Sequence, residues 1–406
     1  MNIVIYAGDN KYYKTLLPIA LKIKELGHNF LFLFCEETQL MFPHQKEYFS
    51  YDGKFPEDGE SFYSETLGIN IPFKPDALII ARERWQPEQS IILEFKKTLG
   101  ASVYCVEVSS HLINNIENRL EMLSRQNYPQ NTIDYFFEHS QFAKERRIDC
   151  MDESYRNKSI IVGNPRFSNI TLNESRVREK YAIDPNKKQI LFWGVINTTR
   201  NTSLKALQTI VDKTKDTHQI FYKCYPGEPY NQKFVRQFNP FVVDGVQVIY
   251  DEDDIFDMAN ICETHVCQAS SVFNFAVYFN KKIVNLDSVC KSHERMNDID
   301  SYINEVGNGV EDSAKFWMGI WNLNSIDEFK KLIGMERIEK FKKTNEMFIE
   351  SVRENTLDFD WDCNFLNKDK KEYGNLITFF DEYNFDSNAS SRILEFIEND
   401  IDKRNI

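Results

Sequence analysis

Residues 264–287 read THVCQASSVFNFAVYFNKKIVNLD. Residues 263–267 are a strand-like run, 268–271 a polar turn, and 272–279 an apolar stretch of helical length. A basic turn at Lys281 leads into a second strand-like run, 282–286. Strand, turn, helix, turn, strand is the repeating unit of a doubly wound sheet. In such sheets ligands lie beyond the carboxyl ends of the strands. The first-turn N–H groups of the next helix lack internal partners and attract anions, and the hydroxyls of Ser270 and Ser271 add two donors there. The plainer reading of that pair is an ordinary serine cap.

The same rhythm continues on both sides. Upstream, strands are expected over 189–193, 219–223 and 246–249, with helices over 203–213, 232–238 and 253–259. A second set begins at the N-terminus. Residues 3–7 form a strand, 12–26 a helix stopped by Gly27, and 30–35 a strand. Residues 77–81 follow as a strand, 87–99 as a helix closed by Gly100, and 102–108, 132–138 and 159–164 as further strands; 42–72 reads as irregular and 113–125 as helical. The expected fold class is therefore α/β, with two doubly wound Rossmann-like domains facing a cleft. The boundaries fall at 1–165 and 166–350, with a hinge in 165–188. Residues 325–353 carry a helical pattern. The tail, 351–406, is acidic and aromatic, and Ile393, Leu394 and Ile397 mark one amphipathic helix. That tail is expected to pack back on the first domain or to serve as an oligomer contact.

The 406 residues suffice for two large cores. A net charge of -13 opposes nonspecific binding to nucleic acid or to an anionic membrane, so no nucleic-acid partner is expected. The eight Cys are scattered without a C-x-x-C spacing, which argues for free thiols and against a zinc site. No run of apolar residues is long enough for a transmembrane helix, and the chain opens directly on a strand rather than a signal peptide. The expectation is a cytoplasmic protein, with peripheral contact at the inner face of the membrane.

Several residues carry chemistry. Lys223 ends an expected strand on the ligand edge, where a cation stabilises negative charge on a departing phosphate. Tyr225 follows it and offers a hydroxyl to phosphate or a ring to a base. Gly194 follows Trp193 at the first strand end of the second domain, where a missing side chain lets the backbone approach a diphosphate. Asn197, Thr198, Thr199 and Arg200 add polar groups beyond it. No Gly-x-Gly-x-x-Gly is present, which argues against a dehydrogenase. In the first domain Gly8 and Asp9 occupy the corresponding first loop. Glu107 ends the fourth strand as a candidate general base, and His111 is the alternative. Arg82 and Arg84 stand ready to bind an anionic acceptor or to pair with Glu107. Asp287, after the 282–286 strand, suits a ribose or sugar hydroxyl. The acidic run 251–254 leads into a helix, whose dipole favours carboxylates, and is not read as a metal site.

With these residues in place, the chain resembles the two-domain GT-B glycosyltransferases. It is most similar to the capsule and teichoic-acid group, which includes CDP-glycerol glycerophosphotransferase-like and Kdo transferase-like enzymes. Residues 163–167, Gly-Asn-Pro-Arg-Phe, match a motif that precedes the second domain. Lys223, Cys224, Tyr225 and Pro226 match Lys-x-His-Pro with Tyr in place of His. Ser270 and Ser271 match a Ser-Ser pair, while Gln268 and Asn274 stand near positions that are acidic in the family. The resemblance covers about residues 1–350 and implies that the His-Pro segment and the serines contact donor phosphate. It also implies that Asn274, as a neutral partner, meets the ribose.

The function expected is transfer of a sugar from a nucleotide-activated donor (CMP-, CDP-, UDP- or GDP-linked) to a hydroxyl on a glycan or lipid-linked acceptor. The catalytic candidates are Glu107, His111 and Lys223; the donor is assigned to Gly194, Lys223, Tyr225, Ser270, Ser271, Asn274 and Asp287. Neither a cofactor nor a metal is expected. The alternatives are a polyol-phosphate transferase, a nucleotide-sugar 2-epimerase, a DNA-modifying glycosyltransferase and a non-catalytic sugar-nucleotide-binding protein.

Overall fold

The computed structural model describes residues 1–7, 10–34, 62–66, 69–81, 86–107, 132–150, 153–194, 200–223, 243–249, 254–268, 272–290, 331, 335–374 and 386–404. The chain divides into two compact units, Met1–Asn169 with Phe379–Ile406, and Ile170–Thr378. Residues 351–406, read from sequence as one tail, are thus shared between the two.

The first unit holds a six-stranded parallel sheet. Its strands are β1 (Asn2–Ala7), β2 (Asn29–Phe34), β5 (Ala77–Ile80), β6 (Ser102–Val106), β7 (Tyr135–Glu138) and β8 (Ser159–Ile161). A small antiparallel hairpin, β3 (Phe62–Ser64) and β4 (Ile69–Ile71), lies within the stretch expected to be irregular. The order across the sheet is β2-β1-β5-β6-β7-β8. A sheet covered on both faces reads as nearly continuous apolar runs, and successive residues point to opposite faces. Ile3, Ile5, Tyr104 and Val106 join one core, whereas Val4, Leu78, Ile80, Val103 and Cys105 join the other.

Helix α1 (Asn10–Glu25) covers the first face with Leu16, Ile19 and Ile23. Gly27, at φ 75, ends it in the left-handed conformation that costs glycine little. The second face is covered by α2 (Gln86–Glu94) and the π turn Phe95–Leu99, through Ile91, Ile92 and Phe95. Helix α3 (Gln141–Cys150) follows β7 and is started by the Ser140 hydroxyl, which accepts the Ala143 N–H.

The second unit repeats the plan. Its sheet comprises β9 (Lys188–Trp193), β10 (His218–Lys223), β11 (Val246–Ile249), β12 (Thr264–Cys267), β13 (Lys282–Asn285) and β14 (Leu357–Asp358). All pairings are parallel and the order is β11-β10-β9-β12-β13-β14. Counted within the unit, this is the 3-2-1-4-5-6 order of dinucleotide-binding domains. Its described helices are α4 (Glu174–Lys180), α5 (Arg200–Thr214), α6 (Ile255–Ile261), α7 (Phe273–Tyr278), α8 (Asp287–Cys290) and α9 (Met335–Asn355).

The last helix, α10 (Ala389–Arg404), returns to the first unit. Ile393, Leu394, Ile397 and Ile401 are buried in the same cluster as α1 and the sheet. Fully burying each such side chain contributes roughly 1.5–3 kcal/mol. Polar contacts fix the register: Tyr104 donates to Asp400 at 2.7 Å, and Arg392 Nε donates to the Val162 carbonyl at 2.8 Å.

Candidate functional site

In the second unit the strand order reverses between β9 and β12, and the carboxyl ends of the sheet carry Gly194, Lys223 and Asp287. Trp193 pairs with Lys223, Phe192 with Val266, and Cys267 with Asn285. Lys223, Gly194, Gln268 and Asp287 therefore stand at or just past the ends of four adjacent strands. Gly194 and Lys223 are joined directly, since the Gly194 N–H donates to the Lys223 carbonyl at 2.9 Å. A Cβ on Gly194 would stand 2.5 Å from the Tyr222 hydroxyl oxygen, so the position has no room for a larger residue. Lys223 is only 4% exposed. Asp287 opens α8 with its N–H donating to the Asn285 side chain at 3.0 Å.

The alternation along each strand sorts the sheet into two unlike faces. Ile190, Phe192, Ile220, Tyr222, Val266 and Val284 pack against α5 as an apolar core. The opposite face carries Trp193, Lys223, His265, Cys267 and Asn285, all buried. Trp193 lies 5.2 Å, ring to ring, from Phe275 of α7 and 5.9 Å from His265. Among the described residues, three polar atoms on this side are buried without a hydrogen-bond partner: Trp193 Nε1, His265 Nδ1 and Asn274 Oδ1. Nε2 of His265 meets the Ala259 carbonyl at 3.0 Å, and burial pushes the imidazole down to about 3. Burial also raises the Cys262 and Cys267 thiols, which keeps them protonated and inert.

Asp254, the last residue of the acidic run, is fully buried. It accepts from Arg176, Lys180 and the Tyr181 hydroxyl, which accounts for its charge within the protein. Its neighbours 251–253 lie outside the described residues, as do Gly8, Asp9, Arg82, Arg84, His111, Asn197, Thr198, Thr199, Tyr225, Ser270 and Ser271.

In the first unit Glu107 stands just past the end of β6. Its partner is Arg147 of α3, whose Nη2 donates to Glu107 Oε2 at 2.7 Å. Arg147 also donates through Nε to Glu138, the last residue of β7, and its guanidinium lies 4.3 Å over the Phe136 ring. Next to Glu138, His139 is buried, with Nε2 lacking a partner among the described residues. Burial pushes this imidazole down to about 4, against the pull of Glu107. Arg147, Glu138 and His139 do not stand out in the sequence, because what brings them to Glu107 is the pairing of β6 with β7. The available signal is local: Glu138-His139-Ser140 sits where a strand gives way to a serine-capped helix.

No protein-family model matches the chain, and no curated protein matches it. Solved structures do. S. aureus MnaA, in a co-structure with UDP, is 14% identical, with 99% of this chain and 97% of that one covered and a TM-score of 0.54. UDP-GlcNAc 2-epimerase from Neisseria meningitidis, bound to UDP-GlcNAc, is 14% identical over 98% of this chain and 100% of that one, with a TM-score of 0.51. A variant of the wall teichoic acid polymerase TagF is 11% identical over 100% of this chain and 89% of that one, also with a TM-score of 0.51. At these identities the likeness is one of fold, and the fold is the glycosyltransferase-like GT-B type with two doubly wound α/β units.

Proposed function

We propose that this protein transfers a glycosyl group from a nucleotide-activated donor to a hydroxyl acceptor. The observation that carries the reading is the carboxyl edge of the second sheet, where Lys223, Gly194, Gln268 and Asp287 end four adjacent strands around the point of strand reversal. Gly194 lets the main chain meet a diphosphate. Lys223 offsets the charge that builds on the leaving phosphate, in place of a divalent ion. Ser270 and Ser271 add hydroxyl donors, Tyr225 meets phosphate or base, and Asn274 and Asp287 take ribose or sugar hydroxyls. The first unit supplies the base, Glu107, with His111 as the alternative. As the acceptor oxygen bonds to the anomeric carbon, the bond from that carbon to the donor phosphate oxygen breaks. The electron pair leaves with the nucleotide and the acceptor proton passes to Glu107. Neighbours of this fold solved with UDP or UDP-GlcNAc support a nucleotide-linked donor. The acceptor is a glycan or a lipid-linked hydroxyl met at the cytoplasmic face of a membrane; no helix among the described residues is long and apolar enough to cross one.

A second reading, epimerisation of the nucleotide sugar itself, is favoured by the match along 100% of the UDP-GlcNAc 2-epimerase chain. A thermal-shift screen with CMP, CDP, UDP and GDP identifies the base, because a ligand that binds only the folded chain raises its melting temperature. Incubation with the matching nucleotide sugar then separates the readings. Nucleotide release that depends on an added acceptor supports transfer, whereas conversion of the sugar without acceptor supports epimerisation. Binding with no turnover across glycan and lipid-linked acceptors contradicts both.

A further inference from the structure

Glu107 is held at its amide, its carbonyl and its carboxylate by one short stretch of chain, residues 137–147. Its N–H donates to the Phe137 carbonyl at 2.8 Å. Its carbonyl accepts from the His139 ring. Among the described residues Nε2 of that ring has no partner, and burial keeps the imidazole neutral. Its carboxylate accepts from Arg147 at 2.7 Å. The Arg147 side chain is 5% exposed and that of Glu138 1%, whereas the Glu107 side chain keeps 19% of its surface in contact with solvent. Glu107 is thus the member of the cluster that an outside molecule reaches.

Such an arrangement is a poor way to stabilise a domain. Taking a guanidinium, a carboxylate and an imidazole out of water costs several kcal/mol per ion, and apolar residues of similar volume often serve stability as well or better. A glutamate at a strand end otherwise samples many rotamers, a freedom worth up to about 2 kcal/mol. Here that freedom is removed at the one carboxylate that faces outward.

We propose that Arg147 and His139 are positioning residues for Glu107, the first fixing its carboxylate and the second its main-chain carbonyl, so that the carboxylate meets the acceptor hydroxyl in one orientation. The inference rests on the reading of Glu107 as the base, and it adds two residues that the sequence motifs do not mark. Both act through Glu107 and neither touches substrate. Glu138 completes the set by holding the far side of the Arg147 fork.

Crystal structures of the full chain test the geometry without any assumption about substrate. In Arg147→Met and in His139→Leu the Glu107 carboxylate is expected to shift by about 1 Å or more, or to spread over several rotamers, a displacement large enough to cost about 100-fold in rate. Arg147→Lys and His139→Asn each keep one donor and are expected to retain its position. If Arg147→Met does not fold, Arg147→Gln carries the comparison, since its shorter neutral amide cannot span both carboxylates and Glu107 should loosen. A Glu107 carboxylate that stays in place in the Met and Leu variants overturns the proposal. Turnover of UDP-N-acetylglucosamine, read as UDP release, addresses the base separately. Arg147→Met is expected to lower kcat with KM nearly unchanged, and Arg147→Lys to recover part of the loss. If Glu107 moves as expected while Glu107→Gln turns over at the wild-type rate, the base assignment fails and the positioning geometry stands.

Discussion

Gly194 and Tyr222 are in direct contact: a Cβ built on the glycine would lie 2.5 Å from the phenol oxygen and 3.0 Å from the Lys223 carbonyl. The ends of β9 and β10 are thereby drawn together, with the Gly194 N–H bonded to that same carbonyl. Packing alone requires a small residue here, before any ligand is considered. Gly194→Ala is expected to lower the stability of the ligand-free protein by about 1–3 kcal/mol, the usual cost of overpacking. Adding Tyr222→Phe removes the nearest clashing atom and should return part of that loss. Urea denaturation of the two variants checks this; an Ala variant as stable as wild type would show that the strand ends relax freely.

Asp254 is buried while its cationic partners are not, since Arg176 and Lys180 are 46% and 38% exposed. The two sides of this pairing should therefore respond unequally. Removing both cations leaves a buried carboxylate with Tyr181 as its remaining partner among those bonds, and breaking a buried ion pair in this way costs about 3–5 kcal/mol. Asp254→Asn lets the two exposed cations rehydrate and keeps an acceptor for Tyr181, so its cost should be smaller. Equal losses in chemical denaturation would contradict the account.

Helix α10 completes the first unit, with Ile393, Leu394 and Ile397 in the core shared with α1. Ile397→Ala is expected to cost about 2–5 kcal/mol, as for other buried aliphatic truncations. A chain ending before residue 386 should lose the cooperative unfolding of that unit. Circular dichroism melts of the substituted and truncated chains measure both effects, and an unchanged melt would place the helix outside the folded core.

His139 and His265 are both held neutral by burial, at about 4 and about 3 against an ordinary value of 6.5. A depressed histidine makes the unfolded chain bind more protons than the folded one once the pH falls below 6.5. Stability is therefore at its plateau above that pH and declines as pH falls toward the folded-state values, by up to about 1.4 kcal/mol per pH unit for each group. His265→Gln keeps a donor for the Ala259 carbonyl but cannot titrate, so its stability curve between pH 6.5 and about 4 should be flatter than that of wild type. A variant with the same slope as wild type would remove His265 from the explanation.

The strands that frame the ligand edge were legible because each is an apolar run bounded by turn residues. Val246–Ile249 coincides with its sequence expectation, and the ends at Trp193, Lys223 and Cys267 fall where the patterns stop. Leu357–Asp358 gave no such signal, because two residues become a strand only by pairing with Val284 and Asn285. Helix α3 was not anticipated either: its stretch, QFAKERRIDC, has few apolar residues to set a helical period. Glu107 was recognisable as a strand-end carboxylate, but Arg147 lies 40 residues away in the chain, and only the β6–β7 pairing brings the two together. The unpartnered Trp193 and Asn274 atoms are likewise products of packing around α7 rather than of local pattern.

In the proposed complex a nucleotide's phosphates rest on the carboxyl edge of the second sheet, beside Gly194 and Lys223. The most direct test is a crystal structure of the full chain with whichever of CMP, CDP, UDP or GDP raises its melting temperature most. Phosphate oxygens are expected within hydrogen-bonding distance of the Lys223 ammonium or the main chain at Gly194, with Ser270 or Ser271 contributing a further donor. A nucleotide bound with its phosphates remote from that edge would contradict it.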